Sequence, residues 1–319
     1  MDFYQIFFIV VLALAGFGLL SYIVITFIVG RIIYSHLLER NKKYHWGREC
    51  SAPSDYETHM MWDEGLIWGK ENLEYKKDVS IENEGYKLYG EYYDYGYSKA
   101  VIIIPGRMES LCYSYYFAPA LKKAGFNLLL IDKRSHGLSE GKYEDGGYKS
   151  HTDIIKWAKL LNEQFNMNSI TLFGICIGSS TCMYTITDKD CPKYVDRIIT
   201  DGMFSTFAKS LRLHLKDQRR PTFPFTYTIL FWARVLSKAN MITKGPIKQV
   251  GKLDRPILML YTKEDKFSTM DQAKELFDKC SSKEKEIVYF DHGAHSRIYY
   301  HNKEKYEQTI IDFVNKTDR

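Results

Sequence analysis

The sequence carries six cysteines, Cys50, Cys112, Cys176, Cys182, Cys191 and Cys280, but no C-x-x-C pair and no Cys/His spacing suited to zinc. No metal is expected, and no cofactor is assigned. Six thiols across 319 residues are too sparse for the disulfide framework of a small secreted domain. Free thiols in a reducing compartment fit them better. A block of Lys and Arg interleaved with aromatics is also lacking, and the net charge of +5 is scattered along the chain. A nucleic-acid groove needs a concentrated basic face, so nucleic acid is not an expected partner. There is no internal repeat and no low-complexity tract.

One absence is local. From Phe3 to Gly30 there is no charged residue, and most positions are Phe, Ile, Val or Leu. That run exceeds the about 20 residues a helix needs to cross the hydrocarbon core. A cleaved signal would start with basic residues and carry only about 7–15 apolar ones, whereas this chain starts with Asp2. A buried helix of a soluble protein is the third alternative. The reading adopted is an uncleaved transmembrane anchor over residues 1–30, with the lipid bilayer as its partner. Arg31, Arg40, Lys42, Lys43 and Arg48 follow it, and basic flanks stay on the cytoplasmic side. The expectation is a single-pass protein of the cell membrane whose bulk faces the cytoplasm.

Residues 31–77 are polar with scattered aromatics and no clean period, as in a juxtamembrane connector. Within them "MMWDEGLIW" is expected to form a short helix over the first strands, a resting place at the bilayer interface being the alternative. A domain over residues 78–319 follows. "DVSI" and "YKLYGEYY", separated by Asn83, Glu84 and Gly85, predict an antiparallel hairpin. The apolar runs at 100–106, 126–132, 169–174, 196–202, 256–262 and 286–291 are rich in Ile, Leu and Val, as strands of a parallel sheet covered on both faces must be. Helical periodicity at 151–165 and 270–280 supplies covers. The fold class is therefore α/β, a doubly wound, mostly parallel sheet. The interval between the strands near Asp201 and Pro256 is longer than a crossover needs. Its aromatic stretch "FPFTYTILFWARVLSKANM" predicts a helical lid insertion over about 203–250.

The chemistry centres on "FGICIG" (173–178), at the carboxyl end of a central strand, where open α/β sheets build their sites. A nucleophile on a sharp strand-to-helix turn needs small residues two before and two after it. Gly174 and Gly178 meet that requirement around Cys176. Burial as a small hydrophobe is the competing fate of a free cysteine, and Cys182 and Cys191 suit it better.

Five segments in order resemble the α/β-hydrolase fold superfamily over roughly residues 78–315, and most resemble its membrane-anchored bacterial branch. They are "IIIPG" with Arg107, "DKRSHGLSEG" (132–141), the elbow with cysteine in place of serine, "YTKEDKF" (261–267) and "DHGAHS" (291–296). Pro105-Gly106 stands where the family has His-Gly. In this fold the order is nucleophile, acid, histidine. That order implies Cys176, Asp265 and His295, with Asp201 and His292 as rivals for the last two places. The elbow geometry offers the Ile177 N–H as an oxyanion donor, and the resemblance adds that of Arg107.

Arg134 and His136 are expected to be structural loop residues. Arg212, His214, Lys216, Arg219 and Arg220 form a basic cluster, read as a solvated surface with anionic headgroups or an anionic substrate as the alternative. The resemblance implies a hydrolase cleaving a small-molecule ester or thioester through an acyl-cysteine. Relatives with cysteine at the elbow include dienelactone hydrolases and some acyltransferases, so acyl transfer is an alternative. A degenerate membrane-anchored binding protein is another.

Overall fold

In the computed structural model, which describes residues 2–40 and 46–318, the chain forms one eight-stranded sheet with helices on both faces. The strands are β1 (Lys76–Asn83), β2 (Tyr86–Tyr93), β3 (Ala100–Ile104), β4 (Asn127–Ile131), β5 (Ile170–Ile175), β6 (Val195–Asp201), β7 (Ile257–Thr262) and β8 (Lys285–Phe290). Their order is β1-β2-β4-β3-β5-β6-β7-β8. β1 and β2 form the antiparallel hairpin, β2 lies antiparallel to β4, and every later pairing is parallel.

The sequence explains which strands lie inside. β3, β4, β5 and β7 are buried at every position, the condition of a parallel strand covered on both faces. The edge strand β1 carries Lys76, Lys77, Asp78 and Glu82, side chains that discourage pairing with another chain.

The helices are α1 (Phe3–Leu38), α2 (Tyr56–Glu71), α3 (Leu111–Lys123), α4 (His151–Phe165), α5 (Ile177–Ile186), α6 (Phe207–Asp217), α7 (Phe225–Leu236), α8 (Met270–Lys279), α9 (Ile298–His301) and α10 (Lys303–Thr317). One face of the sheet packs on α2, α3 and α10, with Trp62, Tyr116, Phe117 and Phe313 in its core. The other packs on α4, α5 and α8 around Trp157, Met183 and Leu276. Helix α2, inside the predicted connector, joins the first core because Gly65 lets it approach the backbone of Tyr116 on α3.

A third cluster lies outside the sheet, where Tyr34 and Leu38 of α1 pack with Leu211 and Leu215 of α6 and Ile229 and Leu230 of α7. That packing carries α1 past the predicted end of the span at residue 30 to Leu38. Helix α1 is long and apolar enough to cross a membrane, and its most apolar window buries nothing against the protein. Of the basic flank, Arg31 pairs with Glu39 at 2.8 Å, Arg40 donates to the carbonyls of Ser139 and Gly137, and Arg48 bridges Glu91 and Asp132. Lys42 and Lys43 lie outside the described residues.

Candidate active site

Cys176 joins β5 to α5 with φ 53° and ψ −114°, a region that non-glycine residues seldom occupy. The strain persists because its surroundings allow no other path. A Cβ on Gly174 would lie 2.6 Å from the carbonyl group of Gly178, and one on Gly178 would run into the carbonyl oxygen of Ile104 at the end of β3. Only glycine at both places lets strand and helix pass. The Cys176 N–H donates to the Asp201 carbonyl at 2.8 Å, and the Ser179 hydroxyl donates to the Gly174 carbonyl at 2.6 Å. The thiol therefore stands at the start of α5, where the helix dipole favours an anion.

Asp265 follows β7 and His295 follows β8, and the two strands pair side by side. His295 Nδ1 lies 2.7 Å from Asp265 Oδ2, while Asp265 Oδ1 accepts the N–H groups of Phe267 (2.7 Å) and Ser268 (2.9 Å). Burial would raise the Asp265 carboxyl, but the His295 charge and these hydrogen bonds hold it below the ordinary range. Burial opposes the charged form of His295, yet the Cys176 thiolate and then Asp265 hold its pKa well above that of a free imidazole. Its Nε2 is buried and makes no well-formed hydrogen bond among the described residues. Gly202 lies against the pair at φ 63°, a backbone conformation that suits glycine.

The rivals are occupied elsewhere. Asp201 accepts the Tyr306 hydroxyl, and burial pushes its pKa up to about 7. His292 is exposed and faces Glu264 at 3.4 Å.

Two backbone donors are free beside the thiol. Among the described residues the N–H groups of Ile177 and Arg107 have no hydrogen-bond partner, although the neighbours of Arg107 are both tied. Gly106 N–H donates to Glu109 Oε2 at 2.7 Å, and Met108 N–H donates to His136 Nε2 at 3.2 Å. His136 Nδ1 lies 3.0 Å from the Arg134 carbonyl and its ring stacks on Trp46. A proton on Nδ1 with Nε2 accepting makes this a neutral imidazole, and burial pushes its pKa down to about 3. Arg134 pairs with Asp153 and Glu84. Both residues hold loops, in keeping with the sequence reading.

A cleft opens over Cys176. Arg107, Ile177 and Phe204 line one side, Phe207, Leu211, His214 and Leu215 come from α6, and Ile33 and Leu37 come from α1. Sequence reasoning missed this wall. Ile33 and Leu37 sit in the predicted connector, and their three- and four-residue rhythm with Gly30, Tyr34 and Leu38 was the available signal. His214 corrects the solvated-surface reading of the basic cluster. It stacks on Phe267 with centroids 3.6 Å apart, and burial, then the charges of Arg107 and His295, push its pKa down to about 3.

Four of the other five thiols, Cys112, Cys182, Cys191 and Cys280, are buried, and burial raises each of their pKa values, whereas Cys50 is half-buried.

Comparison with known proteins agrees with this architecture. Residues 99–227 match the family described as alpha/beta hydrolase fold. The uncharacterized protein YqkD of Bacillus subtilis (strain 168) is 24% identical over 216 residues, covering 67% of this chain and 70% of that protein. The structure of the esterase Pf2001 of Pyrococcus furiosus superimposes with a TM-score of 0.66 at 21% identity, over 78% of this chain and 94% of the esterase. The alpha/beta hydrolase GrgF from Penicillium sp. sh18 gives 0.59 at 15% identity, over 76% and 98%.

Proposed function

We propose that this chain, whose fold is that of the α/β hydrolases, cleaves an ester or thioester through an acyl-cysteine. The observation that carries the reading is the electrostatic coupling of Cys176, on its strained turn, to the imidazole of His295, whose Nδ1 lies 2.7 Å from Asp265. The thiol proton passes to His295 Nε2, and the sulfur attacks the acyl carbonyl. The resulting oxyanion accepts from the Ile177 and Arg107 N–H groups, which need no reorganisation to receive it. Collapse expels the alcohol or thiol, which takes the proton from His295 and leaves a thioester on Cys176. His295 then removes a proton from water, hydroxide adds to the thioester carbonyl, and breakdown returns a carboxylic acid and the Cys176 thiol. The unpaired donor pair supports attack on an acyl carbonyl, and the shared fold of the Pyrococcus furiosus esterase supports a carboxylic ester as substrate.

Helix α1 would anchor the enzyme across the cell membrane with the α/β unit on the cytoplasmic side. Its apolar length supports the span, and unbridged cysteines suit a reducing compartment.

The test is a panel of acyl esters and thioesters given to the full-length protein in mild detergent, beside Cys176→Ala and Cys176→Ser. Expected are turnover by the wild type, an acyl adduct on the Cys176 peptide by mass spectrometry, and no turnover by the alanine variant. Turnover that survives Cys176→Ala would move the nucleophile elsewhere. Acyl products formed on added amines or alcohols in place of acid would reassign the reaction to transfer.

A further inference from the structure

Helix α7 carries an apolar stripe that stays partly exposed. Tyr227, Phe231 and Val235 recur every four residues along the helix and are 44%, 41% and 38% exposed, and Phe223, just before its start, is 73% exposed. The opposite face, with Ile229, Leu230 and Ala233, is buried. An amphipathic helix with a stripe of this kind facing outward needs an apolar partner.

The stripe continues the bare apolar surface of α1. The two helices cross where a Cβ on Gly30 would lie 2.5 Å from Thr228 Oγ1, a small-residue contact of the kind seen between membrane helices. Phe231 meets Phe27 edge to face at 5.1 Å, and the Trp232 indole donates to the Phe27 carbonyl at 2.9 Å. At 1.5 Å per residue the uncharged run Phe3–Gly30 is about 42 Å long, against a hydrocarbon core of about 30 Å. The crossing at Phe27–Gly30 therefore falls at the membrane boundary. Arg31, over the rings of Tyr34 and Trp232, stands where cationic and aromatic side chains anchor to that boundary. Arg212, which donates to the Tyr227 hydroxyl at 2.7 Å, gives the stripe a polar edge.

The cavity over Cys176 shares these elements. Ile33 and Leu37 follow Gly30 on α1 by one and two turns, and the rest of that wall is α6, packed beside α7. We propose that α7 lies in the membrane interface and that the cavity is loaded from the bilayer, the substrate being a membrane-resident amphiphile whose acyl chain enters along Ile33 and Leu37. This rests on the hydrolase reading above and deepens it.

The experiment uses the full chain reconstituted in phosphatidylcholine vesicles. A long-chain acyl thioester held in the bilayer and a short-chain, water-soluble acyl ester are compared for the wild type and for Phe223→Asp/Val235→Asp. Removing apolar area from an interfacial helix weakens its immersion. The double variant should cleave the vesicle-held thioester about tenfold more slowly and the soluble ester within about twofold of the wild type. Equal rates on the vesicle-held substrate would overturn the proposal. Absence of soluble-ester turnover in the wild type would instead sink the hydrolase reading. In either case a bimane label on Phe231→Cys decides where α7 lies. Quenching by brominated lipid is expected, and a label quenched only by aqueous iodide would refute immersion.

Discussion

The Tyr306 hydroxyl donates to Asp201 Oδ2 at 2.8 Å, and this contact separates Asp201, the last residue of β6, from Asp265, in the loop after β7, two carboxylates whose charges both act on His295. Asp201 is committed to α10, whereas Asp265 holds His295 Nδ1. On the proposed mechanism Asp265→Asn offers an amide where the imidazolium needs an anion, and kcat should fall by about 10³–10⁴. Asp201→Asn should lose about tenfold or less, through packing beneath the elbow. Steady-state kinetics of the two variants on one acyl ester decide between them, and equal losses would count against the assignment of the acid.

Asp201 also sets a pH dependence of stability. Its pKa rises from an ordinary carboxyl value to about 7 because it is buried, with the Tyr306 hydrogen bond and the His295 charge only partly offsetting that. Between about pH 4 and pH 7 the folded protein thus binds a proton there that the unfolded chain has released, so stability falls as pH rises through this window. The loss from this residue is on the order of a few kcal/mol and levels off above pH 7. Urea unfolding in detergent at pH 5 and pH 8 should show a decline in the wild type that Asp201→Asn diminishes. An unchanged decline would assign it to other groups.

Gly178 tests the elbow itself. A methyl at this position meets the backbone carbonyl of Ile104, which cannot swing aside as a side chain can. Gly178→Ala should destabilise the protein by about 1–3 kcal/mol or more and displace Cys176. A lowered melting temperature together with lost turnover is expected. A variant with wild-type stability and activity would mean that strand and helix are looser than described.

These positions mark what was legible in the sequence. The spacing of Gly174, Cys176 and Gly178 is local, so a strand-to-helix turn can be inferred from it without coordinates. The apolar runs that became β3 to β7 were likewise visible, because two-sided burial leaves continuous Ile, Leu and Val. Helix α4 occupies the predicted 151–165 for a related reason, an unbroken 3.6-residue rhythm. Other features arise only from tertiary packing. The placement of Ile33 and Leu37 in the cavity wall depends on α1 packing against α6 and α7, and their local rhythm marks a buried face without naming its partner. A run of five basic or titratable residues reads as surface until one of them, His214, is seen stacked on Phe267.

The oxyanion loop yields the last prediction. Arg107 N–H is free because the flanking N–H groups are held, that of Gly106 by Glu109 and that of Met108 by His136. His136 can accept from Met108 only while its Nε2 is unprotonated, and burial against Trp46 keeps it so throughout the physiological range. His136 touches no reacting atom in this scheme, so it is a positioning residue. Replacing it with alanine should leave the Arg107 donor present but poorly aimed. Loss of one oxyanion donor costs about 10²–10³ in kcat, so partial misalignment should cost about 10–10² with KM little changed. His136→Gln keeps a side-chain acceptor for Met108 and should recover part of that loss. A merely structural role for His136 would lower thermal stability in both variants without this split between kcat and KM, and without the recovery.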